Sequence, residues 1–250
     1  LLLGLPAKAK DPPKKYLDEN YVFKHLKFIK WPEKTGVWGK IETHGRIAPN
    51  PWNLRYETKI VRDGKYSLRF EMRDGDCHRR DCDRPNKAGR SEVSFDGAYP
   101  KNAKGHVGNV WYAWSMYIPE GTNHIKPAYT ILGQFKMPTA YIEQLDRINS
   151  SGFDEDCPEI PLLFHLDTEG VLLVKDGVEK CGGYVNKVII PYPEIHNKWH
   201  DFLLNVNWTG EEDGFIHLWI NDKKVYQSKG KTIGKSLKRK KDGKKMGPSF

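Results

Sequence analysis

Two stretches carry polar side chains at a spacing suited to chemistry on the face of a β-sheet. In Lys87-Ala88-Gly89-Arg90-Ser91-Glu92-Val93-Ser94-Phe95, Arg90 and Glu92 stand two residues apart. In Ile131-Leu132-Gly133-Gln134-Phe135-Lys136, so do Gln134 and Lys136. Side chains two apart on an extended strand share a face. A face bearing Arg, Gln and Lys suits a carboxylate or sulfate, such as those on a sugar polymer. His165, in Leu162-Leu163-Phe164-His165-Leu166-Asp167, is the leading histidine for proton exchange near neutral pH. Phe164 points the other way, so a core Phe164 puts His165 on the outer surface of its sheet. The competing reading is a structural His bonded to a neighbouring strand. Tyr184, after Gly182-Gly183, is a candidate for stacking on sugar rings or carrying a proton. His200, beside Trp199, reads as structural.

These groups need strands to hold them, and the composition favours strands. Eight Trp and twelve Tyr in a chain that is 38% apolar suit pleated sheets better than helices. Strand signals recur at Tyr56–Val61, Tyr66–Met72, 87–95, Val110–Ile118, Thr130–Met137, Leu162–Leu166, Val171–Lys175, Val185–Ile190, Trp199–Trp208, Gly214–Ile220 and Val225–Tyr226. Asp63-Gly64 is a hairpin signal, and Asn221-Asp222-Lys223-Lys224 reads as a turn into Val225-Tyr226. No stretch sustains a 3.6-residue period, and no strand–helix alternation argues for a parallel sheet. The spacing predicts one antiparallel sandwich or jelly roll over 21–250, after a leader at 1–20. The polar stretch 138–160 is long for a loop in such a domain, and loops of that length are more often functional than idle.

Charge and cysteines bound the setting. The formal net charge is +9, which raises the local concentration of polyanions. Leu1–Ala9 resembles the tail of an export signal ending in Ala7-Lys8-Ala9, and it is too short to span a membrane. The expected location is outside the cell or in a periplasm. The cysteines are read as disulfides, Cys77–Cys82 and Cys157–Cys181 being the local pairing of the three that four cysteines allow. Asn149-Ser150-Ser151 and Asn207-Trp208-Thr209 are glycosylation sequons. No Cys-x-x-Cys, phosphate-binding glycine loop or Gly-x-Ser-x-Gly elbow is present. No cofactor is required. The acidic runs Asp154–Asp156 and Glu211–Asp213 are the candidates for a structural calcium, against the plainer reading of solvated loops. The basic run 229–245 attracts a polyanion if it borders the binding face. It lacks a nucleic-acid reading motif, so neither nucleic acid nor membrane is an expected partner, and the expected state is a monomer.

Several motifs together resemble a known family. Asn197-Lys198-Trp199-His200-Asp201-Phe202, followed by Asp213-Gly214-Phe215-Ile216-His217-Leu218-Trp219-Ile220-Asn221-Asp222-Lys223, resembles a hairpin of the heparin lyase I-like polysaccharide lyases. Trp111-Tyr112-Ala113-Trp114-Ser115-Met116-Tyr117-Ile118-Pro119 is similar to their central strand. Gly89-Arg90-Ser91-Glu92 resembles the Arg-x-Glu strand these enzymes share with alginate and glucuronan lyases. Two departures stand out. The family's Gln-x-His is Gln134-Phe135-Lys136 here, and its Lys-x-Gly-x-Tyr strand has no counterpart before Phe250. The expectation is a chain cut short of that strand or a sheet that lacks it.

The resemblance implies a concanavalin-like β-jelly roll of two antiparallel sheets and a secreted lyase that cleaves a uronate polymer by β-elimination. Such an enzyme takes the C5 proton and expels the group on O4, so cancelling the carboxylate charge stabilises the transition state. Arg90, Gln134 and Lys136 suit that role. His165 and Tyr184 complete the catalytic candidates. Glu92, Tyr112, Asn186, Lys235 and Lys238 are the substrate-binding candidates, with Glu92 orienting Arg90. The rival reading is a non-catalytic jelly roll that binds acidic glycans. No metal site is expected.

Overall fold

Alternation of apolar and polar residues forces a strand to bury one side, and that pattern builds this molecule. The computed structural model describes residues 2–4, 29–30, 40–42, 50–77, 82–83, 89–92, 94–95, 107–122, 130–137, 160–175, 185–192, 194–233 and 248. Every regular element among them is a β-strand, and the strand pairs are antiparallel. Contacts divide the chain into two units, Leu1–Phe95 with Ser115–Tyr117, and Asp96–Trp114 with Ile118–Phe250.

The first unit contains β1 (Leu2–Gly4), β2 (Ile29–Lys30), β3 (Lys40–Glu42), β4 (Leu54–Glu57), β5 (Ser67–Phe70) and β6 (Ser94–Phe95). β2, β3 and β6 form a small sheet in that order. β1 lies between β5 and the end of β7 (Gly108–Tyr117), with Leu3 opposite Leu68 and Met116. Residues 2–4 thus sit in a sheet, although the sequence reading set them outside the fold. β4 and β5 form a hairpin, with Gly64 in its connection at φ 73°.

The second unit holds β8 (Thr130–Phe135), β9 (Leu162–Asp167), β10 (Gly170–Lys175), β11 (Val185–Pro191), β12 (Trp199–Trp208), β13 (Phe215–Ile220) and β14 (Lys223–Lys229). One layer runs β11-β10-β9-β8, and the other β14-β13-β12-β7. Rings fill the space between them. Trp114 stacks on Phe202 at 4.9 Å and meets Phe164 edge-on at 5.4 Å. Phe135 packs against Tyr112 at 4.9 Å and Trp208 at 5.3 Å. On β12, Phe202, Leu204, Val206 and Trp208 are buried at every second position. Each such side chain contributes about 1.5–3 kcal/mol of burial, which is what fixes the register. The β13–β14 turn puts Asn221 and Asp222 at φ 49° and 64°. Two adjacent positive φ values are the signature of a type I′ hairpin turn, and Asn and Asp tolerate them better than most residues.

Candidate functional site

The β11-β10-β9-β8 layer has an inner face toward the aromatic core and a second face opposite. Phe135 and Met137 are buried, while Gln134 and Lys136, which alternate with them, are half-buried and point the other way. Pairing lines up Gln134 with Leu163, Leu163 with Val174, and Val174 with Asn186. This row crosses the whole layer on its second face, with an amide at each end. The adjacent row runs Ile131, His165, Leu172. A bulge between Ile131 and Gly133 resets the alternation of β8 and keeps Ile131 and Gln134 on the same face. Gln134, Lys136, His165 and Asn186 therefore share one face, as the two-residue spacing of Gln134 and Lys136 predicts.

Burial separates them. Asn186 is exposed, and Gln134 and Lys136 are partly open. His165 is 6% exposed. The expectation of a surface His165 is corrected here: it does face away from Phe164, but that face is covered at its middle. Leu172 and Val174 beside it are buried as well. The polar groups open to a ligand lie at the two edges of the layer. Tyr112 is corrected too. It faces the aromatic interlayer, where its hydroxyl accepts a hydrogen bond from Trp208 Nε1 at 3.1 Å. It is a packing residue rather than a ligand contact.

Arg90 and Glu92 belong to the first unit. Their guanidinium and carboxylate lie 3.8 Å apart, both partly open to solvent. They share a side, as expected, but 89–92 is not in a strand ladder; β6 begins only at Ser94. The segment is held from its flanks instead. Ser91 Oγ donates to the Asn53 carbonyl. Asn53 in turn donates to the Glu71 carbonyl at 2.9 Å and to Asp76 at 2.8 Å.

Asp76 is the hub of this corner, and the sequence reading missed it. It accepts from Asn50 Nδ2, Trp52 Nε1, Asn53 Nδ2 and the Arg73 amide at 2.7–2.8 Å. Burial alone would raise its pKa; the hydrogen bonds and the Arg73 charge outweigh this and hold the carboxyl below its usual range. Arg73 stacks over Trp52 at 4.1 Å. Cys77 follows directly and is bonded to Cys82, as the local pairing predicts. The available signal was the turn-forming run Asp74-Gly75-Asp76, with Gly75 at φ 81°.

Tyr184, Lys235, Lys238, the Cys157–Cys181 pair, Asn149 and Asp154–Asp156 lie outside the described residues. Glu211, Glu212 and Asp213 occupy the β12–β13 turn, where Glu212 pairs with Lys231 at 3.5 Å. Among the described residues, no group of three or more His, Cys, Asp or Glu is placed to hold a metal ion. Among the described residues, no helix is long and apolar enough to cross a membrane.

Comparison with known proteins adds three findings. A family model described as polysaccharide lyase matches residues 31–249. No curated protein matches the chain. Among solved structures, an endo-β-1,4-glucuronan lyase from the fungus Trichoderma reesei superposes with a TM-score of 0.51 at 12% identity. The match spans 100% of this chain and 81% of that one. Identity so low speaks to fold alone, and there it agrees with the all-β jelly roll of antiparallel sheets expected from the sequence.

Proposed function

Because the chain belongs to the polysaccharide lyase family, we propose that it cleaves a uronate-containing acidic polysaccharide by β-elimination. The observation that carries this reading is the outward-facing pair on and just after β8. Gln134 and Lys136 stand on the same side there, partly desolvated by buried neighbours. An amide and an ammonium so placed can neutralise a substrate carboxylate while negative charge develops beside it, and partial desolvation strengthens both interactions. Arg90, in the first unit and with Glu92 fixing its guanidinium, is assigned a carboxylate contact of its own. Asn186 is assigned to sugar hydroxyls. His165 receives no proton-transfer role, because its ring is enclosed.

Glucuronan is the first polymer to test, since the solved structure similar in fold is named for it. The heparin lyase I-like resemblance is narrower than the family match and rests on the hairpin residues quoted above. The disulfide Cys77–Cys82 supports an oxidising compartment and hence export.

The experiment incubates the folded chain with glucuronan, alginate and heparin and follows the ultraviolet absorbance of 4,5-unsaturated uronate ends. We expect product from at least one polymer. Gln134→Ala and Lys136→Ala should each lower kcat by about 10²–10³-fold, the usual effect of removing one preorganised charge-stabilising group. Polymer binding without any product would refute the catalytic assignment.

A further inference from the structure

The outer face of the β14-β13-β12-β7 layer carries groups that neither the core nor the proposed reaction uses. On β13, Ile216, Leu218 and Ile220 are buried toward the core. Phe215, His217 and Trp219 alternate with them and point outward. Phe215 stacks on His217 at 4.9 Å, and His217 meets Trp219 edge-on at 5.9 Å. Trp111 of β7, 57% exposed, lies nearly parallel to Trp219 at 5.8 Å with 22° between the planes. The ring centres step by 4.9 Å and 5.9 Å, so these alternate residues of β13 form a row of rings at most about 11 Å long. A short run of pyranose rings fits that length.

Polar groups border the ledge. Pairing sets Lys224 beside Trp219, Gln227 beside His217 and Lys229 beside Phe215. Lys224 Nζ sits 5.1 Å from the Trp219 ring centre. On the other side, Asn205 pairs with His217, and its amide donates to Asn109 Oδ1 at 2.6 Å and the Val110 carbonyl at 3.2 Å. Asp201 marks one end of the face, and the Glu211–Asp213 turn the other. The lysines alongside the rings give the ledge a positive edge. Burial, with Lys224 and Lys229 adding their charge, holds the His217 pKa below its usual value.

Large rings held outward at regular spacing are costly on a solvent face, where aromatic area is normally withdrawn from water. The exposed Trp111 ring and the ring edges along β13 offer apolar surface to the C–H face of a sugar, and the flanking ammonium groups complement its carboxylates. We propose that this ledge is a second, non-catalytic binding surface for an acidic polysaccharide, with sugar rings lying along Phe215, His217, Trp219 and Trp111 and carboxylates meeting Lys224 and Lys229. A polymer held there stays at high local concentration for cleavage. The identity of the polymer rests on the lyase reading; the existence of the surface does not.

The test compares Trp111→Ala/Trp219→Ala and Lys224→Glu/Lys229→Glu with the parent chain. It measures glucuronan and neutral β-glucan binding by affinity electrophoresis, and kinetics on polymer and on a short oligosaccharide. Thermal melts accompany each variant, and the charge pair, which leaves the rings in place, guards against misfolding of the ring pair. Both variants should bind glucuronan at least about tenfold more weakly, the loss expected of a truncated aromatic anchor or a reversed cation pair. KM on polymer should rise while kcat/KM on the oligosaccharide stays within about twofold. Unchanged glucuronan binding in both variants overturns the proposal. So does parent binding of the neutral glucan as tight as its binding of glucuronan, or a parent dimer that the ring pair dissociates, which would make the ledge a subunit interface. Binding that the variants abolish in a chain showing no lyase activity sustains the ledge and refutes the lyase assignment.

Discussion

Gly89 offers a sharp test of how Arg90 is held. A Cβ built there would lie 2.6 Å from Met72 Cε and 2.9 Å from the Asp76 carbonyl oxygen. Met72 is 38% exposed, and its terminal methyl can swing away. The Asp76 carbonyl cannot follow, because its own side chain is gripped by four donors and the next residue is in a disulfide. In Gly89→Ala the 89–92 segment must therefore retreat, by about 0.5 Å to reach an ordinary contact of 3.4 Å. That stretches the Ser91–Asn53 hydrogen bond and carries Arg90 outward. Overpacking of this kind costs about 1–3 kcal/mol, which lowers Tm by roughly 2–12 °C in a chain of this size. Displacing a catalytic group by about 1 Å costs on the order of 10²-fold, so under the role proposed for Arg90 half that shift should lower kcat about tenfold. Differential scanning calorimetry and the unsaturated-uronate assay read the two effects. Adding Met72→Ala should not restore activity, because the carbonyl clash remains. Rescue by Met72→Ala, or wild-type Tm and kcat in Gly89→Ala, would refute this account of Arg90's support.

Two further outcomes follow from buried or strained positions. His200 is 2% exposed, and burial, reinforced by the Lys198 charge, keeps its folded pKa below the ordinary 6.5 despite the opposing pull of Glu194. The neutral ring is the native form, so its contribution is complete above about pH 6.5 and is lost as pH falls through the lower folded value. Urea melts at stepped pH should show His200→Gln with a shallower acid slope than the parent, by at most about 1.4 kcal/mol per pH unit; parallel slopes would contradict it. At the β13–β14 turn, Asp222 has φ 64°. Asp222→Gly creates Asn-Gly and should raise stability by about 0.5 kcal/mol in the same melts, since glycine adopts that backbone without strain. A lower midpoint would show that the Asp222 side chain outweighs its backbone strain.

Strand positions were legible wherever one face is buried. Trp199–Trp208 has the bounds predicted for it, and β10 and β11 differ from the prediction by one residue at one end. A one-residue slip there would turn an entire apolar set to solvent, so the sequence specifies register strongly. Within the strand expected at 87–95, residues 89–92 stand off the ladder and only Ser94–Phe95 joins it, because the support of 89–92 is not local. Ser91 reaches the Asn53 carbonyl 38 residues away, and no periodicity within the segment records such a bond. His165 fails differently. Parity correctly set it opposite Phe164, but opposite is not the same as exposed. The clue lay one strand on, in Val171-Leu172-Leu173-Val174. An unbroken apolar run marks a strand covered on both sides, so its partner β9 is enclosed too.

The same logic separates the two faces proposed to meet glycan. On β7, Trp111 and Trp114 are the same residue type three positions apart, and that odd spacing sends one ring outward and the other into the core. On β8, Gln134 and Lys136 are open only because Phe135 and Met137 are anchored beneath them. In both places packing of the inward residues sets the positions of the outward ones, so aromatic burial in the second unit is also what orders its binding surfaces. Phe135 shows the link directly, since it touches Tyr112 and Trp208 on its inner side and fixes the strand whose other side presents Gln134. The recognition proposed at these faces would inherit its precision from the core, which holds short polar pairs on a half-buried strand face firmly enough to discriminate charge.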